Sequence, residues 1–178
     1  MSLYEATQYS LVIISLILIA LFIIVMMKIE KIIGQNMGIP PGLKLPEIKG
    51  VLEGKVISVN AYIQKSKETM MMCIVDPNCK YCREIAPKLL QQYQEKEFNL
   101  LFLISKIDLS ENIGVEEIAP NIIVSPVDII KKYKVSSFPY CFIVSPKEEI
   151  IKRGLIEDKN MNLFIDYLNE RSNGVSYD

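Results

Sequence analysis

The sequence contains no histidine and no tryptophan in 178 residues. Without histidine, a Cys–His catalytic pair and every histidine-ligated metal site are excluded. Neither sign of charge is in excess. The 20 Lys and Arg residues are scattered among 21 Asp and Glu, which leaves no basic footprint for nucleic acid. Cysteine is scarce too: Cys73, Cys79, Cys82 and Cys141 are too sparse for a disulfide scaffold, so their placement must carry their meaning. There is no internal repeat and no low-complexity tract.

Apolar residues, by contrast, make up 50% of the chain, a figure inflated by one segment near the N-terminus. LVIISLILIALFIIVMM, Leu11 to Met27, has no charge and only Ser15 as a polar residue. About seventeen residues at ~1.5 Å each reach the lower limit for a bilayer core. Tyr4 and Tyr9 stand at one end, where aromatic rings anchor at an interface, and Lys28 and Lys31 close the other. A cleaved signal peptide would want a basic leading region and small residues before the cut, and neither is present. A buried soluble helix would show a polar face. The expectation is a single uncleaved membrane helix within residues 1–29, with the lipid bilayer as a partner. Ahead of it the only charged side chain is Glu5; behind it come Lys28, Lys31, Lys44 and Lys49. Taken alone, that lysine bias would leave the rest of the chain in the cytoplasm.

Three glycines and three prolines in GQNMGIPPGLKLP mark a connector over residues 30–44, followed by a folded domain over 45–178. EIKGVLEGKVISV reads as a hairpin around Gly50 and Gly54. TMMMCIV and FNLLFLIS are unbroken apolar runs, the pattern of strands buried on both faces. Between them, Ile85, Leu89 and Tyr93 form one stripe of a helix running from Cys82 to Lys96. Strand, helix and strand in about thirty-five residues is a βαβ unit with parallel strands. NIIVS is a further short strand and Pro126–Val135 a short helix. YCFIVS and EIIKRGLI flank the turn PKE as an antiparallel hairpin. A last helix carries Leu163, Phe164, Tyr167 and Leu168 on one face, with Asp158 or Asn160 as its cap and Gly174 beyond its end. The fold class is α/β: a βαβ unit, then a ββα unit, around a mixed sheet.

IVDPNCKYCREIAPKLL places a Cys-x-x-Cys pair where the first buried strand gives way to the helix. Cys79 at the helix N-terminus would have its thiolate stabilised by unpaired N–H groups and by the helix dipole. Lys80 adds a positive charge nearby. Cys82, one turn later, would be shielded and placed to resolve a mixed disulfide at Cys79.

Here the chain resembles the thioredoxin superfamily, in particular its membrane-anchored redoxin (TlpA-like) branch. It is similar to accessory thiol oxidoreductases of methylamine utilisation and of cytochrome c maturation. The likeness spans Leu45 to Glu170 and rests on SVNAYIQKSKETMMMCIVDPNCKYC, on Pro87 five residues after Cys82, and on YKVSSFPYCFIVSPKEEIIKRGLI. The resemblance implies a thioredoxin fold and a bacterial thiol–disulfide oxidoreductase working outside the cytoplasm, against the lysine bias. Cys79 and Cys82 would be its redox couple, with no organic cofactor and no metal. Pro139 would be the cis-proline that orients client proteins bearing cysteines or disulfides, and Phe138 would shape their groove. A membrane dithiol protein would be its redox partner. A well-stabilised Cys79 thiolate favours an oxidising protein; Tyr81 sits inside the motif without an assignable sign.

The sequence departs from the family pattern at Cys73, six residues before Cys79, where thioredoxins commonly bury a carboxylate. Asp76, Lys106 and Asp108 are the candidates to assist proton transfer in its place. Under the family's strand order, Cys73 and Cys141 lie on neighbouring strands, either as packed thiols or as a second disulfide or relay. Peroxidase chemistry is disfavoured: Asp76 stands where peroxiredoxins carry Thr or Ser, and tryptophan is missing. Copper delivery fails for want of histidine. A zinc ion held by all four cysteines would require Cys73 and Cys141 to turn toward the motif pair. The rival from another class is a tethered binding module or chaperone that uses the Pro139 groove without redox turnover.

Overall fold

The computed structural model describes residues 13–26, 28, 37–96, 98–106 and 120–172. It divides into two compact units, Met1–Met37 and Gly38–Asp178. In the first, residues 13–26 form helix α1, with its apolar side chains exposed. Among the described residues no helix is long and apolar enough to cross a membrane. Leu11, Val12 and Met27 of the expected span lie outside the described residues, as do Tyr4, Glu5, Tyr9, Lys31, Asp108 and Gly174.

The second unit runs β1 (Lys49–Leu52), β2 (Lys55–Ser58), α2 (Val59–Ser66), β3 (Met70–Val75), α3 (Lys80–Lys96), β4 (Leu100–Ser105), β5 (Asn121–Val124), α4 (Pro126–Tyr133), β6 (Tyr140–Val144), β7 (Ile150–Leu155) and α5 (Asp158–Ser172). The strands form one sheet in the order β2-β1-β5-β4-β3-β6-β7. The unbroken apolar runs become β3 and β4, buried at every position and parallel to one another, as a βαβ crossover requires. β5 continues the parallel set beside β4; β6 runs antiparallel to β3 and β7 antiparallel to β6. The expected hairpin is β1–β2. Its two-residue turn has positive φ at both Glu53 and Gly54, the geometry that matches strand twist. The expected α/β fold with a mixed sheet and flanking helices is borne out.

Alternation along the strands sorts the core into two layers. Met71, Cys73 and Val75 of β3 and Cys141 and Ile143 of β6 face α3 and α5, meeting Cys82, Ile85, Leu89, Phe164, Ile165 and Leu168. On the other side Phe142 packs edge-on against Tyr133 of α4, ring centres 6.0 Å apart.

Three local features differ from the sequence expectations. Residues 59–66 form α2, which the sequence reading did not assign; Val59 and Ile63 are its only apolar i, i+4 pair, too little periodicity to register. Ser58 accepts the Ala61 N–H at 3.3 Å and starts it. The cap of α5 is neither Asp158 nor Asn160. Glu157 holds that position, its carbonyl accepting the N–H groups of Asn160 and Met161, while Asn160 reaches back from the first turn to accept the Glu157 N–H at 2.8 Å. Residues 38–44, expected within the connector, are bonded into the domain: the Gly38 N–H donates to the Lys134 carbonyl and the Gly42 N–H to the Ile150 carbonyl.

Candidate active site

Between the end of β3 at Val75 and the start of α3 at Lys80 the chain turns sharply. The Asp76 carboxylate accepts the Asn78 N–H at 2.8 Å and its carbonyl accepts the Cys79 N–H at 3.0 Å, an Asx-type turn that aims Cys79 at the helix start. The Cys79 carbonyl in turn accepts the Arg83 N–H at 3.3 Å, so Cys79 is the residue that caps α3. Its thiol is half-buried, whereas Cys82, one turn on, has no exposed surface. The Asp76 N–H donates to the Cys82 sulfur at 3.4 Å.

The second element of the site comes from the start of β6. The Phe138–Pro139 peptide bond is cis, as the resemblance implies. The Cys79 thiol donates to the Phe138 carbonyl at 3.5 Å. Pro139 is held from behind, its carbonyl accepting the Ile156 N–H at 3.1 Å. Beside this junction opens a groove of about 660 Å³, lined among others by Tyr81, Ile85, Phe138, Pro139, Leu155 and Ile156, with Glu84 and Glu157 on its polar side. Phe138 lines the groove and also packs against the core cluster that contains Cys82.

The sequence profile of the thioredoxin-like domain family matches residues 58–169. The chain belongs to the thioredoxin-like family. Among solved structures it is similar to the thioredoxin domain of a thiol-disulfide oxidoreductase from Bacteroides vulgatus, with 20% identity and a TM-score of 0.60 over 74% of this chain and 99% of that one. It is also similar to a thiol:disulfide interchange protein from Bacteroides sp., with 20% identity and a TM-score of 0.60 over 75% of this chain and 93% of that one. A thio-disulfide isomerase from Thermus thermophilus matches at 15% identity and a TM-score of 0.56, over 78% of this chain and all of that one. No curated protein sequence matches it. The expected resemblance to the thioredoxin superfamily is borne out.

In this thioredoxin-like chain the two motif cysteines occupy unlike environments. Burial pushes the Cys82 thiol well up; the Asp76 N–H pulls against it, and the neighbouring Cys79 and Cys73 thiols reinforce it. Where a buried carboxylate is common in the family, Cys73 stands opposite Cys141 across β3 and β6. Burial, then the hydrogen bond to Cys141, holds Cys73 firmly in its thiol form. All four cysteines are thiols in this structure. Among the described residues no cluster of Cys, Asp and Glu side chains is arranged to hold a metal ion.

Lys80 and Tyr81 are solvent-exposed on the first turn of α3, and of these two Tyr81 lines the groove. Asp76 shapes the turn before α3; its carboxylate is engaged by Asn78. Lys106 is buried and lines a separate cavity with Gly50, Val51 and Ile123. The sequence reading missed the groove wall made by Leu155, Ile156 and Glu157. Its signal was present in the GLIED stretch, an apolar pair passing into acidic residues at the strand end, but only the sheet order brings that stretch to Pro139. The Phe138 backbone was indicated only through the resemblance, in which the main chain before the cis-proline is exposed to a client, because a backbone group leaves no mark in composition or spacing.

Proposed function

We propose that this thioredoxin-like protein is a membrane-anchored thiol–disulfide oxidoreductase exchanging disulfides with exported client proteins through Cys79 and Cys82. The observation that carries the reading is the pair of unlike thiols at one helix start. Cys79 is reachable, lies at the N-terminus of α3 and faces the carbonyl before Pro139; Cys82 is sheltered one turn behind it. The similar solved proteins, an oxidoreductase, an interchange protein and an isomerase, support it.

In the reducing direction, the Cys79 sulfur attacks, as the thiolate, one sulfur of a client disulfide. A mixed disulfide forms and the second client sulfur leaves as a thiolate. Cys82, once deprotonated, attacks the Cys79 sulfur, releases the client thiol and closes the Cys79–Cys82 disulfide. Each step is reversible, so the same groove serves oxidation. Pro139 and Phe138 would present backbone and ring to an extended client segment, and a membrane dithiol protein would reset the couple. The apolar run Leu11 to Met27 supports anchoring, and the likeness to exported redoxins supports a redox domain outside the cytoplasm. The lysines behind the run pull the other way.

Full-length Cys82→Ser, quenched in acid and alkylated, should accumulate client proteins linked through Cys79, released by reductant and absent from the Cys79→Ser control. If Cys82→Ser traps nothing while Cys79→Ser keeps its cellular activity, the protein is a tethered binding module and the redox reading is wrong.

A further inference from the structure

The four thiols form one connected set. Cys73 on β3 and Cys141 on β6 are register partners in an antiparallel pair, both without exposed surface, and Cys141 is among the groups that hold Cys73 in its thiol form. Directly opposed residues of antiparallel strands have Cα atoms about 4.5–5.5 Å apart, inside the range of about 4.4–6.8 Å over which a disulfide closes. Cys82 lies in the same packed cluster, with Cys79 against its outer side. Cys73 is near enough to Cys82 to oppose its ionisation. On the far side, the register partner of Cys141 is Gly154, covered by the Phe164 ring, so an apolar wall backs the pair. Packing alone is satisfied by Ala or Val at either position. It does not call for a thiol at both members of one register pair, in the same packed cluster as a third.

We propose that Cys73 and Cys141 are a second dithiol couple, loaded and unloaded through Cys82. The proposal rests on the reading of Cys79 and Cys82 as a redox couple. Starting from the Cys79–Cys82 disulfide, the Cys73 thiol gives up its proton and its sulfur attacks that of Cys82. A Cys73–Cys82 bond forms, the Cys79–Cys82 bond breaks, and Cys79 leaves as a thiolate that takes up a proton. Cys141 then loses its proton and attacks the Cys73 sulfur; a Cys73–Cys141 bond forms and Cys82 leaves to be reprotonated. The outer disulfide has been reduced to two thiols and the inner pair oxidised to a disulfide, with two electrons and two protons exchanged and no external oxidant consumed. Because burial disfavours the attacking thiolate, this transfer is slow beside exchange at the surface, and the inner couple acts as a store.

The test is oxidation of the reduced full-length protein with excess oxidised glutathione, blocking of remaining thiols under denaturing conditions, and peptide mapping without reduction. The expected product carries both Cys79–Cys82 and Cys73–Cys141 disulfides. In the Cys79→Ser, Cys82→Ser double variant, Cys73 and Cys141 should stay free, because their route is closed. A wild-type product with Cys79–Cys82 formed and both inner cysteines blocked overturns this inference and leaves the proposed function standing. An inner disulfide formed in the double variant overturns the route through Cys82. Absence of the Cys79–Cys82 disulfide itself sinks the proposed function, and this inference with it.

Discussion

Consider the reduced protein taken from pH 9 to pH 10. Cys73 and Cys82 have no exposed surface, and burial is the leading reason both thiols stand well above the ordinary value of 9.0. In the unfolded chain they titrate near that ordinary value. Over this pH step the unfolded state therefore sheds protons that the folded state keeps. The stability that two protonated, buried thiols lend is fully present below the unfolded value and is lost as pH climbs toward the folded one. For a group titrating near pH 9 when unfolded, the loss is about 1 kcal/mol per thiol over this step, so about 2 kcal/mol for the two together. Tyr62, Tyr133 and Tyr140, also pushed up by burial, join in at higher pH. Urea unfolding followed by far-ultraviolet circular dichroism, with reductant and detergent present, measures the decline at each pH. Comparison with Cys82→Ala cancels the tyrosines, and the variant should lose about 1 kcal/mol less than wild type over the same step. If Cys82→Ala declines as steeply as wild type, the Cys82 proton is not retained by the fold, and the account of a sheltered resolving thiol fails.

Anchoring predicts that the full-length protein resists alkaline extraction from membranes, whereas a chain lacking residues 1–29 is released; a reporter fused after Asp178 should be active only outside the cytoplasm. Gly38 has φ of +76°, and a Cβ there would collide with the Tyr140 ring, whereas Gly54 has the same φ with open space around it. Gly54→Ala should cost about 1 kcal/mol of unfolding free energy and Gly38→Ala clearly more, up to about 3 kcal/mol. Equal costs would mean that residues 38–44 do not pack as described.

Much of the fold was legible because burial on both faces writes itself as unbroken apolar runs. β3 and β4 could be read that way, and α3 between them by its stripe. α2 could not, since a short helix with one apolar pair resembles the loop of a strand–loop–strand passage; its real signal was Ser58, a capping residue without a periodic run behind it. The chemistry of the site divides along the same line. Cys79 and Cys82 announce themselves by spacing. The Phe138 carbonyl, the Glu157 cap and the wall at Leu155 and Ile156 depend on backbone groups and on which distant strands become neighbours. That Cys73 faces Cys141 follows from register between strands far apart in the chain. Spacing does not encode it, and only the likeness to a known strand order suggested it.

The segment ahead of β1 has a consequence for solubility. Lys44 and Glu149 pair through their main chains as an isolated antiparallel bridge, and Leu43 and Gly42 exchange hydrogen bonds with Ile150, so the chain covers one end of β7, the outermost strand on its side of the sheet. The opposite margin, β2, is four residues long and begins with an exposed lysine. Open rows of backbone donors and acceptors invite other strands to add on, and these devices blunt both rows. If clients are received beside Pro139 as proposed, open flanks would compete for the same extended segments, and the covered end of β7 and the short, lysine-led β2 lessen that competition.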